Sequence, residues 1–419
     1  MYLAENIKTP PAIKGIIRRY YTVWMTYALA GGFLFGVYPI FLHARGLNQF
    51  QINSVLATYF VVLFLTDVPT GAIADALGRR GAFVLGTSLR VCAFLLYFTA
   101  HHYWVFLIGE SIDGIGTTFG NGAIDAWGVD ALDEAGYEGL KDSLFSRISQ
   151  LTTIGFMISA IGGAYVADIN IAWPWLCGAV GYVIAAIVGV CLMTGEKPRA
   201  SGIDVAGLPK MIVRRVADGI GSGFNNRTVL MLSIAGGIQF AAWAPYWLEW
   251  PILFNQSYGV GVWIIGWLYC GLSIARMIGA EVVSRMTADE GSRAGRVCAL
   301  MAISAVTLAG AGMLQARPTA AFMSLFAMNI CTGAVTPLLQ SWFNEQIESS
   351  QRATMLSFQS TFGTMGGSVG LFINGIIADR AGVGAAWQFA GALTLTMIPC
   401  YLAIRPRPER IAFVEPAAK

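Results

Sequence analysis

The sequence predicts an all-α membrane protein with twelve transmembrane helices in two pseudo-symmetric six-helix bundles. Of its 419 residues, 56% are hydrophobic and only 12% are charged, whereas a soluble domain carries about 25% charged residues. Apolar segments also follow one another along the whole chain, and a helix needs about 20 such residues to cross a bilayer. The segments are 20–43, 51–73, 81–100, 103–130, 144–167, 172–193, 228–254, 260–286, 296–314, 319–345, 353–378 and 385–404.

A polar interval in the middle of the chain divides these segments into two sets of six. The predicted parts are an N-terminal bundle at 1–194, a linker at 195–227 and a C-terminal bundle at 228–419. A short amphipathic helix is expected within the linker at 208–217. The two halves also repeat weakly, because 141–146 matches 352–357 at a constant spacing. Such internal repeats are typical of secondary transporters.

The distribution of positive charge predicts the orientation of the chain. Of the 27 Lys and Arg residues, 22 fall on the side of both termini, Arg45, Arg317 and Arg380 fall on the other side, and Arg90 and Arg276 fall within segments. Because Lys and Arg accumulate in cytoplasmic loops, both termini are expected in the cytoplasm. The N-terminus has no short apolar stretch with a small-residue cleavage site, so no removable signal peptide is expected.

The stretch DVPTGAIADALGRR at 67–80 joins the second and third segments. Gly71 leaves room for another helix to pack closely, and Gly78 permits a tight turn. With Asp75, Arg79 and Arg80 they match the Gly-x-x-x-Asp-x-x-Gly-Arg-Arg signature between helices 2 and 3 of the major facilitator superfamily (MFS). The chain therefore resembles MFS transporters, and the resemblance implies their fold. The eighth segment resembles a decayed copy that keeps Gly279, Ser284 and Arg285 without the aspartate.

The resemblance also predicts a gate at this motif. We expect 71–80 to dock on the start of the eleventh segment when the cytoplasmic side closes, because a helix N-terminus offers its positive dipole end to an aspartate. The predicted gating residues are Asp67, Gly71, Asp75, Gly78, Arg79, Arg80 and Arg352.

Charged residues lie within the third and fourth segments: Arg90 in the third, and Glu110, Asp113, Asp125 and Asp130 in the fourth. Burying one such group costs about 2.5–3.5 kcal/mol, so it usually faces a cavity or a partner. Glu110 and Asp113 share a helical face, and Arg90 lies at a similar depth, about 15 Å from the outer surface. One arginine facing two carboxylates leaves one carboxylate to bind a proton. The alternative is a static ion pair that only holds the two helices together.

Aromatic and polar residues on other segments predict a substrate cavity for an amphipathic organic molecule. The candidate substrate contacts are Tyr27, Asp113, Gln239, Trp243, Arg276 and Asn329. Arg276 could bind an anionic group or balance an acid, and a packing role is the alternative for the neutral polar residues. Trp247 and Trp250 are expected to anchor a helix end at the membrane interface instead.

The sequence lacks the patterns of an enzyme. It contains no nucleophile elbow, no metal-ligand cluster and no phosphate-binding loop. We therefore predict neither catalysis nor a cofactor, and the net charge of +3 does not suggest nucleic acid. The predicted partners are a small-molecule substrate, protons and the lipid bilayer.

Three further stretches resemble the bacterial drug-efflux branch of the MFS, which comprises multidrug and macrolide exporters. They are DVPTG at 67–71, NGAIDAWGVDAL at 121–132 and NEQIESSQRATMLS at 344–357. This resemblance implies a monomer in the bacterial inner membrane that exports an amphipathic compound by alternating access, driven by protons. The region around Trp127 also resembles the molybdate-transporter-like MFS proteins, which import.

Three hypotheses remain at this stage. The first is a proton-coupled exporter of amphipathic organic compounds. The second is an importer or facilitator of a small polar or anionic solute, with Arg90 and Arg276 as its ligands. The third, a receptor or scaffold that transports nothing, does not account for the gate motif or the repeat.

Overall fold

A computed structural model describes residues 10–137, 139, 141–195, 224, 226–285, 293–347 and 352–404. Within them the predicted all-α architecture is confirmed, and most of the predicted linker, including 208–217, lies outside them. The helices are α1 (Pro11–Gly32), α2 (Val37–Ala44), α3 (Gln49–Leu77), α4 (Arg79–Thr99), α5 (Tyr103–Glu134), α6 (Lys141–Ile169), α7 (Trp173–Leu192), α8 (Arg227–Ile252), α9 (Val262–Ser284), α10 (Arg293–Met313), α11 (Pro318–Glu345), α12 (Arg352–Ala381), α13 (Val383–Leu395) and α14 (Ile398–Leu402).

These helices account for the twelve predicted segments. In the described part of the chain, 11 helical stretches are long and apolar enough to cross a membrane, with α1 and α2 forming one of them and α13 and α14 another. The one predicted segment outside this set is the fourth along the chain, α5, a helix of 32 residues. It falls outside the apolar set because acidic residues and glycines lower its hydropathy.

Local sequence explains several helix ends. α1 begins at Pro11 rather than at the predicted residue 20. Proline suits the first turn of a helix. The basic residues Lys14, Arg18 and Arg19 lower the hydropathy of the first turns, so hydropathy does not indicate this part of the helix. Asn48 caps α3 by accepting a hydrogen bond from the Gln51 amide, and the Gln51 side chain accepts from the Asn48 amide. Gly78 ends α3 and begins α4 with φ 83°, a left-handed conformation that favours glycine.

The two halves of the chain meet at one end of the molecule. Gly266 of α9 packs on α6, where a Cβ at Gly266 would lie 2.8 Å from the Ala160 carbonyl oxygen. The rings of Phe50 and Phe372 lie 6.3 Å apart near the start of α3 and the second half of α12. We call this the closed end, and we call the opposite end, which holds the α3–α4 turn, the motif end.

The motif end is packed differently. Among the described residues, no atom lies within 4 Å of a Cβ built on Gly71. Gly71 itself is exposed in this conformation. In the described part of the chain, the two halves are therefore in contact at the closed end, and no described atom packs on Gly71.

Candidate functional site

A cavity of about 520 Å³ lies between the two halves, within the range of about 300–1,000 Å³ that is common for small-molecule sites. α1 to α7 provide most of its wall, and α8 and α9 complete it from the other half. Its wall is largely aromatic and includes Trp24, Tyr27, Phe35, Trp175, Trp247 and Tyr269. The charged, hydroxyl and amide side chains that reach it, apart from tyrosines, are those of Arg90, Glu110, Asp113, Thr117, Asn121 and Thr152.

Arg90 and Asp113 form a bidentate ion pair in the wall of the cavity. The Arg90 Nε donates to Asp113 Oδ1 at 2.8 Å and Nη2 donates to Oδ2 at 3.1 Å. Glycines bring the two helices close enough for this pair, because a Cβ at Gly116 would lie 2.7 Å from Arg90 Cγ. Nη1 donates to the Tyr27 hydroxyl at 3.0 Å. Every nitrogen of the guanidinium therefore has an acceptor.

Aromatic rings surround the same guanidinium. Its Cζ lies 4.4 Å from the ring centroid of Tyr182, 5.3 Å from that of Tyr27 and 5.8 Å from that of Phe94. Such cation–π contacts contribute about 2 kcal/mol where water is excluded. Together with Asp113 they hold Arg90 in one position.

Glu110 lies in the same wall but has a different environment. Its side chain is buried, and the Tyr97 hydroxyl donates to Oε2. Tyr97 in turn stacks on Trp175, with ring centroids 4.1 Å apart. Among the described residues, no Lys or Arg nitrogen lies within 4 Å of the Glu110 carboxylate. The Tyr38 side chain also hydrogen-bonds Glu110. Glu110 is thus held by phenols, whereas Asp113 is held by a cation.

The predicted substrate residues divide between the cavity wall and the surrounding structure. Tyr27 and Asp113 line the cavity. Asn329 lies behind the wall, where its side-chain amide donates to the Tyr246 hydroxyl at 3.0 Å and to the Leu325 carbonyl at 2.8 Å. Trp243 is 9% exposed, and it lies outside the lining together with the partly buried Gln239.

Trp247 and Trp250 correct the expectation that they anchor a helix end. Both line the cavity, and Trp250 is 1% exposed. The physical reason is that helical structure continues beyond them through the π-helical turn Leu253–Ser257. The two indoles therefore lie inside the bundle rather than at its rim.

Arg276 stands one layer away from the cavity. Its Cζ lies 4.8 Å from the ring centroid of Trp247, which lines the cavity. No described carboxylate lies within 4 Å of its guanidinium, and no described residue accepts a hydrogen bond from it. Among the described residues, Arg276 therefore has neither an acidic partner nor a hydrogen-bond acceptor, whereas Arg90 has both.

The predicted gating residues Asp75 and Arg79 have described contacts in this conformation, in which no described atom packs on Gly71. Arg79 pairs with Asp75 at 2.7 Å, and its Nε lies 3.8 Å from Asp130 Oδ2. Asp67 is exposed, and Arg80 lies in the first turn of α4. The side chain of Arg352 lies outside the described residues. Docking of Asp75 on the start of α12 belongs to another conformation and stays a prediction.

The eighth segment repeats only part of the motif. Arg285 pairs with Glu281 at 2.7 Å, four residues earlier in α9, and Arg79 and Asp75 have the same spacing. Glu281 lies two residues after Gly279, whereas Asp75 lies four residues after Gly71, so the glutamate is not in register with the motif aspartate.

Several residues of the site could not be singled out from the sequence. Tyr97, Trp175 and Tyr182 lie within uniformly apolar segments that contain other aromatic residues. Their rotation about the helix axis and the partner helix they face decide that they reach Arg90 or Glu110, and a single sequence carries no signal for either. Among the described residues, no cluster of three or more His, Cys, Asp or Glu side chains could hold a metal ion.

The fold and this central cavity can now be compared with known proteins. The family model of the Major Facilitator Superfamily matches residues 22–325 and 232–417. The chain belongs to the major facilitator superfamily. Proteins of this superfamily are transporters and not enzymes, so the MFS cavity described above is a candidate substrate site.

Relatives and solved structures of the MFS agree with this assignment. The quinolone resistance protein NorA of Staphylococcus aureus (strain MRSA252) is 21% identical over 185 residues, which span 44% of this chain and 46% of NorA. A nucleoside transporter NupG mutant aligns with a TM-score of 0.72 at 12% identity, over 93% of this chain and 99% of that one. The human organic anion transporter MFSD10 (TETRAN) aligns with a TM-score of 0.62 at 14% identity, over 94% and 100%. At these identities the solved structures show the fold alone.

Proposed function

We propose that this MFS chain is a proton-coupled secondary active transporter that exports small amphipathic organic molecules across the bacterial inner membrane. It works as a monomer with both termini in the cytoplasm, and the linker 195–227 joins its two bundles. One observation carries the proposal. The aromatic cavity contains two neighbouring carboxylates, of which Asp113 is paired with Arg90, while the described partners of Glu110 are the phenols of Tyr97 and Tyr38.

This asymmetry supports a division of roles. Asp113 is paired with Arg90, which compensates its charge inside the bundle. Glu110 has no compensating cation among the described residues, so its neutral acid form suits the closed cavity and its ionised form suits a cavity open to water. As the cavity alternates between the two sides of the membrane, Glu110 would take up a proton on one side and release it on the other. A proton gradient could drive substrate transport through this exchange.

The gate motif supports alternating access for the same cavity. In the present conformation the halves are in contact at the closed end, and no described atom lies within 4 Å of a Cβ at Gly71. In the other conformation, the motif would dock on the start of α12 and the closed end would separate. Each conformation would expose the cavity to one side of the membrane. The positive charge of the loops assigns the motif end to the cytoplasm.

The export direction rests on similarity to an efflux protein. NorA is named as a quinolone resistance protein, and the stretches at 67–71 and 121–132 resemble drug exporters. The second candidate, an importer or facilitator of a small anionic solute, is favoured by one observation. Arg276 stands beside the cavity without a carboxylate partner among the described residues.

Transport by purified protein in liposomes tests the proposal. Protein is reconstituted, a pH difference is imposed across the membrane, and accumulation of a panel of fluorescent amphipathic compounds is followed. We expect at least one compound to accumulate above its equilibrium level, and a protonophore should abolish that accumulation. Downhill movement that is unaffected by the pH difference for every compound would contradict proton coupling and favour a facilitator.

A further inference from the structure

We propose that Arg276 forms the anion-binding subsite of the transport cavity, so that the substrate is an aromatic organic anion such as a carboxylate. This inference rests on the proposed transport function and adds the substrate class to it. It assigns anion recognition to Arg276 in the C-terminal half and not to Arg90, although both arginines are near the cavity.

The first observation is the state of the two guanidinium groups. Arg90 directs Nε and Nη2 to Asp113 and Nη1 to Tyr27. Its charge is neutralised and each of its nitrogens has an acceptor, so it has little left to offer a ligand. Arg276 makes no hydrogen bond or ion pair with any described residue. A guanidinium has five N–H donors in a planar fork that fits a carboxylate in bidentate geometry.

The second observation is the energetic cost of leaving Arg276 where it is. An arginine at membrane depth costs about 2.5–3.5 kcal/mol on insertion scales. Its one described favourable contact, with the ring of Trp247, contributes about 0.5–2 kcal/mol. The contact does not offset the cost by itself, so packing does not explain a cation at this position. An anion bound during transport would.

The third observation is the aromatic surface that connects Arg276 to the cavity. The Trp247 ring centroid lies 4.8 Å from Arg276 Cζ and 6.4 Å from the ring centroid of Tyr269. Tyr269 continues to Phe35 at 5.3 Å, and Phe35 continues to Phe156 at 4.7 Å. All four rings line the cavity. A planar aromatic ligand can lie along these rings with its carboxylate directed to Arg276.

The charges of the cavity wall agree with this class of ligand. The cavity wall contains the neutral Arg90–Asp113 pair and Glu110, and Arg276 stands next to it. When Glu110 carries its proton, Arg276 is the uncompensated charge of this group, and an organic anion neutralises it. Among the described residues that line the cavity, a cationic drug would then find no free carboxylate.

A binding experiment with three matched probes tests the assignment. Naphthalene-2-carboxylate, its neutral amide and 2-naphthylmethylammonium share one ring system and differ in charge. Thermal stabilisation of the purified full-length chain by each probe gives an apparent affinity. The variants are Arg276→Gln and Arg276→Lys. Arg285→Gln serves as the control, because Arg285 lies on the same helix, is exposed and pairs with Glu281.

We expect the wild type to bind the carboxylate more tightly than the amide or the ammonium. Arg276→Gln should weaken carboxylate binding by about tenfold or more, the effect of losing one charge-assisted hydrogen bond, while amide binding changes little. Arg276→Lys should keep part of the preference, and Arg285→Gln should keep all of it. The lysine variant retains the positive charge and therefore covers the case in which the glutamine variant folds poorly.

Three outcomes would overturn the inference. They are a wild type that binds the ammonium or the amide as well as the carboxylate, an Arg276→Gln variant that keeps the carboxylate preference, and a wild type stabilised by none of the probes. The liposome assay tests the proposed transport function separately from the anion subsite. If liposomes accumulate a cationic compound under a pH difference, transport stands and only the anion subsite is wrong.

Discussion

The guanidinium of Arg90 binds both carboxylate oxygens of Asp113, at 2.8 Å and 3.1 Å, in the wall of the central cavity. This geometry separates two carboxylates that the sequence places on one helical face. Asp113 receives the cation, and Glu110 receives a hydrogen bond from the Tyr97 hydroxyl. The pair therefore joins α4 to α5, and it leaves Glu110 without a cationic partner among the described residues.

The ion pair predicts a large, non-additive effect on stability. Asp113→Asn leaves Arg90 as an uncompensated buried cation, so we expect it to lower the free energy of unfolding by about 3–5 kcal/mol. Adding Arg90→Gln should recover part of that loss, because the double variant buries no charge. Thermal unfolding of the purified single and double variants measures this.

Glu281→Gln is the matched control for that prediction. It removes the acid of an exposed pair with Arg285, whose side chains are 78% and 60% exposed, and such pairs contribute about 1 kcal/mol or less. Equal destabilisation by Asp113→Asn and Glu281→Gln would contradict a structural role for the buried pair. Purely additive effects at Arg90 and Asp113 would do the same.

Two glycines predict opposite shifts between the conformations. A Cβ at Gly266 would lie 2.9 Å from Ala164 Cβ at the closed end, whereas a Cβ at Gly71 has no described atom within 4 Å. Gly266→Val should therefore disfavour the observed conformation, and Gly71→Val should fit it but block docking of the motif. Spin labels at Glu134 and Ser284, in a cysteine-free background, report the distance between the halves at the motif end.

Shorter distances are expected for Gly266→Val and longer ones for Gly71→Val, relative to the labelled wild type. Gly122→Val is the control, because a Cβ there also meets no described atom within 4 Å and it lies outside the gate motif. Shifts in the same direction for Gly266→Val and Gly71→Val would contradict alternating access through these two surfaces.

Asp75 predicts a smaller shift with the same labels. In the observed conformation it pairs with Arg79 at 2.7 Å, and docking would place it at the N-terminus of α12. Removing its charge by Asp75→Asn should weaken docking by about 0.3–1 kcal/mol, the usual helix-dipole contribution. The population open at the motif end should then rise by about two- to fivefold. Distance distributions identical to those of the wild type would rule out this contact.

The overall fold could be predicted because the membrane makes hydropathy decisive. Each predicted apolar segment corresponds to an observed helix or pair of helices, and most ends agree within a few residues. The first helix begins nine residues early because Lys14, Arg18 and Arg19 make its first turns polar. Hydropathy reports which residues face lipid, and it is silent about helix that continues into water.

For the site, the sequence could predict only how deep each residue lies in the membrane. Counting residues along the α4–α5 hairpin placed Arg90 level with Asp113, and the structure joins them. The depth of a residue does not give the direction in which it points from the helix axis. The sequence therefore did not indicate that Tyr97 contacts Glu110. The same limit misassigned Trp247 and Trp250, which line the cavity. A tryptophan near a predicted helix end reads the same whether it faces lipid or the interior.

The central claim is that Glu110 binds the transported proton, and Glu110→Gln tests it most directly. Glutamine keeps the size of the side chain and resembles the protonated acid, but it cannot release a proton. The measurement uses liposomes that contain wild-type or variant protein, a compound accumulated by the wild type, and an imposed pH difference. Downhill exchange of the same compound across liposomes without a pH difference is recorded in parallel.

We expect Glu110→Gln to abolish uphill accumulation while downhill exchange stays within about twofold of the wild type, because only the proton step is removed. Asp168→Asn, at the closed end and outside the cavity, should leave both activities unchanged. A Glu110→Gln variant that still concentrates the compound as well as the wild type would contradict the claim, and the proton site would then lie elsewhere, with Asp67 and Asp125 as the next carboxylates to replace.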